Sequence, residues 1–243
     1  MVHLAIRLPI DGLPLLPALH APDGFLSVGI ALLMWVLTIA VIGLAILRAD
    51  RSLEERVIPL MGVTAAFIFA AQMFNFPVAG GTSGHLLGGV LAAVLLGPWV
   101  GTLVMATVVG VQALVFQDGG LLVLGANTFN MGVVGTLLGF GIYVAICRVL
   151  GGEDRGRLPA AAIAGWASVV LGALAMTIEL GASGTSSLEV ALPAMLGVHA
   201  LIGVGEALIT VGALALILAV RPDLLSLRDA PLAAPGTTEA AGA

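Results

Sequence analysis

The chain has 243 residues, of which 60% are apolar and only 9% charged, with 33 glycines and a formal net charge of −5. A soluble domain carries about 25% charged residues to cover its surface, so this composition, with a mean hydropathy of +1.15, belongs to an integral membrane protein. All nine basic residues are arginine and Cys147 is the single cysteine, which excludes a Walker A nucleotide loop, a Schiff-base lysine and a cysteine-rich metal site; with no basic stretch, nucleic acid is not an expected partner.

A helix crossing about 30 Å of hydrocarbon needs about 20 mostly apolar residues. Residues 1–18, MVHLAIRLPIDGLPLLPA, read as an extra leader. They make a poor helix and a poor signal segment, because Arg7, Pro9, Asp11 and Pro14 interrupt the apolar run. The runs that qualify as spans are then Phe25–Leu47, Val57–Phe76, Pro98–Phe116, Leu124–Cys147, Pro159–Leu180 and Leu192–Val220, with a shorter one at Thr82–Gly97. Pro98 suits a first helical turn, where its missing N–H is not needed, and it divides Thr82–Phe116 into two spans. Cytoplasmic loops are enriched in basic residues. With two spans there, the clusters Arg48/Arg51/Arg56, Arg148/Arg155/Arg157 and Arg221/Arg228 all share one side.

The expected fold is therefore an all-α polytopic membrane protein of seven transmembrane helices, with the N-terminus outside and the C-terminus cytoplasmic. Residues 19–220 form one membrane domain. Residues 221–243, rich in Ala, Pro and Gly, read as a disordered cytoplasmic tail. Three arginine-free loops, at 75–84, 117–121 and 181–190, fall on the outer side. Gly88/Gly89 with Ala92/Ala93, and Gly132 with Gly135, have the small-residue spacing that lets helices approach closely in lipid.

Ionisable side chains within spans are costly and so point to function. His85, Glu179, His199 and Glu206 are of this kind. His199 and Glu206 share a helix face two turns apart, and Asn127 and Asn130 form an i, i+3 pair near the outer end of their helix. Each has a plain alternative: His199 as an interhelix hydrogen-bonding residue, Glu206 paired in the bundle interior, Glu179 at the wet interface, and the two asparagines as structural glue. Gln72 and Asn75 remain ambiguous.

Four segments carry a resemblance to a known family. They are His20 with Asp23-Gly24-Phe25-Leu26; Phe76-Pro77-Val78-Ala79-Gly80-Gly81-Thr82-Ser83-Gly84-His85-Leu86-Leu87-Gly88-Gly89; Leu124-Gly125-Ala126-Asn127-Thr128-Phe129-Asn130-Met131; and His199-Ala200-Leu201-Ile202-Gly203-Val204-Gly205-Glu206. In this order, over about residues 19–220, the chain resembles the substrate-capture (S) component of the cobalt and nickel energy-coupling-factor (ECF) transporters, the CbiM/NikM family. The resemblance implies a metal site built from the N-terminus: the free amine of residue 19, the backbone nitrogen and ring of His20, and the ring of His85. Such near-planar nitrogen ligation suits Ni(II) and Cu(II). Asn75, Ser83, Asn127, Asn130, His199 and Glu206 are candidates to support these ligands or line the pocket.

One departure stands out. Leu19 occupies the position of the family's initiating methionine, and a peptide bond there supplies no amine. Translation starting at Leu19 from a leucine-type codon, with Met inserted, restores the amine; so does cleavage after Ala18. The weak leader favours the first. The family resemblance further implies Co2+ or Ni2+ as transported substrate and no nucleotide on this chain. Its implied partners are a transmembrane coupling (T) subunit, two ATPase subunits and a small accessory membrane subunit. Two rival readings use other features. Gly81-Thr82-Ser83-Gly84 with His199 would serve a rhomboid-like intramembrane serine protease, in which an imidazole activates the serine. A purely structural membrane subunit would need neither histidine.

Overall fold

The computed structural model describes residues 20–49, 57–73, 75–78 and 82–226, with the backbone alone for 75–78 and 82–84. Helices α1 (Val28–Ala49) and α2 (Val57–Gln72) lead into an antiparallel hairpin of β1 (Asn75–Val78) and β2 (Thr82–His85). A short α3 (Gly89–Leu96) and α4 (Pro98–Val115) follow. Next come α5 (Leu124–Val149), α6 (Glu153–Ala182) and α7 (Leu188–Val220), and α8 (Asp223–Ser226) ends the described chain. Among the described residues five helices, α1 and α4–α7, are long and apolar enough to cross a membrane, and α2 is a shorter apolar helix of 16 residues. Leu32, Val36 and Ile39 on α1 and Leu201, Leu208 and Leu216 on α7 are exposed, as lipid-facing side chains are in a multi-pass membrane protein.

The apolar run at Thr82–Gly97 is not one short helix, and that at Val57–Phe76 ends early. Phe76 pairs with Gly84 and Pro77 with Ser83. A residue before proline is pushed away from the helical region, so the strand begins where hydropathy alone reads helix. Thr82–Gly97 resolves into β2, a non-helical link at 86–88, and α3. The last has eight residues, about 12 Å at 1.5 Å per residue, too short to cross alone.

Every residue of α3 is buried. It packs against α2, α4, α5, α6 and α7, and Gly89 meets the backbone of Gly135 on α5 so closely that a Cβ there would lie 2.8 Å from the Gly135 carbonyl carbon. Gly97, at φ 81° and ψ 159°, turns the chain, and α4 runs back along α3 from Pro98. The division at Gly97-Pro98 expected from the sequence is therefore real.

One other expectation changes. Glu179, read as a wet interfacial residue, is buried on α6, because Asn130 Nδ2 on α5 donates to its Oε2 at 3.0 Å. At the end of the described chain Arg221 Nε and Nη2 each donate to Asp223 at 2.8 Å, and Leu225 of α8 is buried against the core. Residues 227–243 and the leader at 1–18 lie outside the described residues.

Candidate metal centre

His20 stands in a turn before α1, and groups far along the chain fix the backbone around it. Asn127, in the first turns of α5, clamps Ala21 from both sides: its Oδ1 accepts from Ala21 N at 3.3 Å and its Nδ2 donates to Ala21 O at 3.1 Å. Gly120 N donates to the same carbonyl at 3.0 Å. Asp23 Oδ1 in turn accepts from Leu122 N at 2.8 Å and Val123 N at 3.3 Å. Thr185 Oγ1, in the loop before α7, donates to Phe25 O at 2.6 Å. Below this polar clip, Leu26, Ala31, Met34, Val123 and Ala126 form a small apolar cluster, so the segment is pinned on one side and seated on the other.

His85 comes from the hairpin between α2 and α3. It ends β2, and its Nδ1 lies 2.7 Å from Leu86 O, so Nδ1 carries the proton and Nε2 the lone pair. The non-helical link after it sits where only protein can satisfy its backbone. Glu206 on α7 does so, accepting from Leu87 N at 2.9 Å and Gly88 N at 2.8 Å. Gln72 Nε2 on α2 donates to Leu87 O at 2.7 Å, while its Oε1 accepts from Gln112 Nε2 of α4 at 2.9 Å. Glu206, 1% exposed, thereby caps the broken start of α3.

These two frames bring the histidines together. The ring centroids of His20 and His85 are 4.9 Å apart with planes inclined by 59°; the residues are 4% and 7% exposed. Both ring nitrogens of His20 are buried without a hydrogen bond among the described residues, although Nδ1 lies 3.3 Å from Asp118 Oδ2. Buried polar groups normally find partners, and two adjacent imidazoles, one with its lone pair fixed, have the chemistry to share a late transition-metal ion. Among the described residues no three His, Cys, Asp or Glu side chains gather to hold a metal.

The other predicted residues divide. Leu19 lies outside the described residues. Asn75 pairs in register with His85, and Ser83 with Pro77; their side chains are not described. Asn127 supports His20 through Ala21, whereas Asn130 is turned to Glu179. Residues Phe129–Leu138 of α5 are wound as a π-helix; with more residues per turn than an α-helix, the i, i+3 asparagines no longer share a target. His199 Nδ1 lies 2.7 Å from Met195 O of its own helix. Asp118 was not expected at the site; the signal was an acidic residue in the arginine-free loop Gln117-Asp118-Gly119-Gly120.

A buried pair of imidazoles beside the front of a multi-pass helical bundle defines a membrane protein with a candidate metal-capture centre. The chain belongs to the CbiM family: the family model described as "Cobalt uptake substrate-specific transmembrane region" matches residues 20–224. Among its relatives, a protein of Archaeoglobus fulgidus that bears, provisionally, the name fused nickel transport protein NikMN is 45% identical over 215 residues, 88% of this chain and 70% of that protein. The cobalt transport protein CbiM of Sorangium cellulosum is 31% identical over 225 residues, 90% of this chain and 100% of that one. A crystal structure of a truncated transition metal transporter superposes with a TM-score of 0.75 at 34% identity, covering 82% of this chain and 98% of that one. The relatives carry the names of transport proteins, which leaves the serine protease reading of Ser83 and His199 without support.

Proposed function

We propose that this protein is the substrate-capture membrane component of an ECF-type importer for divalent cobalt or nickel. The observation that carries this reading is the His20–His85 pair, 4.9 Å between ring centroids, in a chain of the CbiM family. The metal would be held by the amine of residue 19, the backbone nitrogen and ring of His20, and Nε2 of His85. Amine, amide nitrogen and imidazole on adjacent residues close fused chelate rings in one plane, which suits Ni(II) and Cu(II); since affinity alone would favour copper, selection of nickel or cobalt would come from geometry and availability. Asp118 supplies a negative charge beside the dication.

The chain would cross the membrane seven times, its N-terminus outside. β2, the link at 86–88 and α3 together make one crossing: seven extended residues at about 3.3 Å and eight helical ones at about 1.5 Å reach roughly 35 Å. Energy would come from ATPase subunits acting through a transmembrane coupling subunit, because this chain has no nucleotide loop.

Nickel and cobalt titration of the purified protein, with N-terminal sequencing of the mature form, tests the reading. A chain that starts at position 19 and binds one metal ion, with binding lost in His20→Ala and in His85→Ala, is expected. Equal binding by wild type and both variants, or a mature chain with residue 19 in peptide linkage and tight one-to-one binding, overturns it.

A further inference from the structure

The Leu86–Leu87 peptide has His85 on one side and Glu206 on the other. Its carbonyl lies 2.7 Å from His85 Nδ1, and its N–H donates to Glu206 Oε2 at 2.9 Å. A trans peptide, the only kind among the described residues, points its C=O and N–H in opposite directions. The three groups thus form a line: carboxylate, peptide, imidazole. The second carboxylate oxygen takes Gly88 N at 2.8 Å, so the carboxylate cannot rotate away without breaking both bonds. Gln72 holds the next carbonyl, Leu87 O, at 2.7 Å, which fixes the orientation of the link from a third direction.

We propose that Glu206 is the positioning residue for His85, acting through this peptide to set the direction and donor strength of Nε2; the proposal rests on the reading of His85 as a metal ligand. A ligating imidazole usually places its other N–H on a carboxylate or carbonyl, which fixes its tautomer and raises its basicity. Here the carbonyl does the first task. The carboxylate beyond polarises it, since hydrogen bonds in series strengthen one another. The carboxylate sits on α7, 119 residues from Leu87 in sequence, so a shift of α7 along its axis displaces the link and with it the ligand. Displacing α7 is therefore a route by which partner subunits would weaken the site and release metal.

Glu206→Gln keeps the size of the side chain but exchanges one acceptor oxygen for an N–H2 group, which faces a backbone donor. The measurement is nickel binding by the full chain in detergent, for wild type, His85→Ala and Glu206→Gln, with absorption spectra at saturating nickel. Expected for Glu206→Gln is a loss of about 10- to 100-fold in affinity and a shifted ligand-field band at saturation, a change that a purely stabilising role would not produce. Nitrogen-15 NMR of histidine-labelled wild type, with the His85 signal assigned by its loss in His85→Ala, should show Nδ1 protonated and Nε2 bare. Wild-type affinity and spectrum in folded Glu206→Gln, or a His85 protonated at Nε2, would overturn the proposal. If Glu206→Gln does not fold, the wild-type NMR result decides. Equal nickel binding by wild type and His85→Ala is a different outcome: it removes the metal reading itself, and the positioning role with it.

Discussion

Gly120 has no room for a side chain, because a Cβ there would collide with the Asp23 carboxylate and the Asp23 backbone nitrogen. Gly120→Ala should therefore push Asp23 off the Leu122 and Val123 amides and free the segment that carries His20. Overpacking of this kind costs about 1–3 kcal/mol, and a metal titration should show weaker binding with the helical circular dichroism unchanged. Asn127→Ala acts on the same clip from the other side. It strands a backbone donor of Ala21, a loss of about 1–3 kcal/mol, and should lower metal affinity about 10-fold or more; wild-type affinity in this variant would remove Asn127 from the site's support. Imidazole, amine and amide donors must all be deprotonated to bind metal, so binding releases protons and tightens as pH rises. Calorimetry in buffers of different ionisation enthalpy should report that release, and its absence would exclude the amine and amide as donors.

Among the secondary-structure elements, α3 depends on the two glycines that bound it. Gly97, at φ 81°, has nothing within 4 Å of an added Cβ, whereas Gly88, at φ 79°, would place one 2.8 Å from Ile68. Gly97→Ala therefore carries strain alone, about 1–3 kcal/mol, and Gly88→Ala carries strain plus a clash. Thermal unfolding should rank Gly88→Ala as the more destabilised, and adding Ile68→Ala should recover part of that difference but none of the strain. The sequence does not reveal this element directly. Apolar residues from Leu86 to Leu96 form a single hydropathic run, and periodicity cannot separate a buried link and short helix from one continuous helix. Glu179 was unreadable for a related reason: what draws it inside is Asn130, 49 residues away, and nothing local to Glu179 announces that partner. The histidines and their flanking motifs, in contrast, were legible because chemistry-bearing residues in an apolar chain are few, and His20, His85, Asn127 and Glu206 all lie within the quoted segments. Asp118 lies outside the four quoted segments.

At the scale of the whole molecule, the long apolar runs marked α1 and α4–α7 well, since length and composition decide membrane-spanning helices, and only the ends moved: α6 begins at Glu153 and α7 at Leu188, each with its proline inside the helix. The orientation proposed from the arginines has its own test. In a Cys147→Ser background, a cysteine at Ser187, before α7, should react with an impermeant maleimide from outside, and one at Asp154, at the start of α6, should react only after permeabilisation. The reverse pattern would invert the topology and place the histidine pair on the cytoplasmic side.

The front of the chain is held by groups made long after it: Asn127 is 106 residues beyond Ala21, and Thr185 is 160 beyond Phe25. During synthesis these partners do not exist when the first residues emerge, and His20 has nowhere to dock until α5 has been threaded into the bilayer. The last strap closes only when the loop before α7 has left the ribosome. On the proposed reading, metal capture would thus be withheld from unfinished chains, and a truncated product would carry its histidine without the seat that holds it.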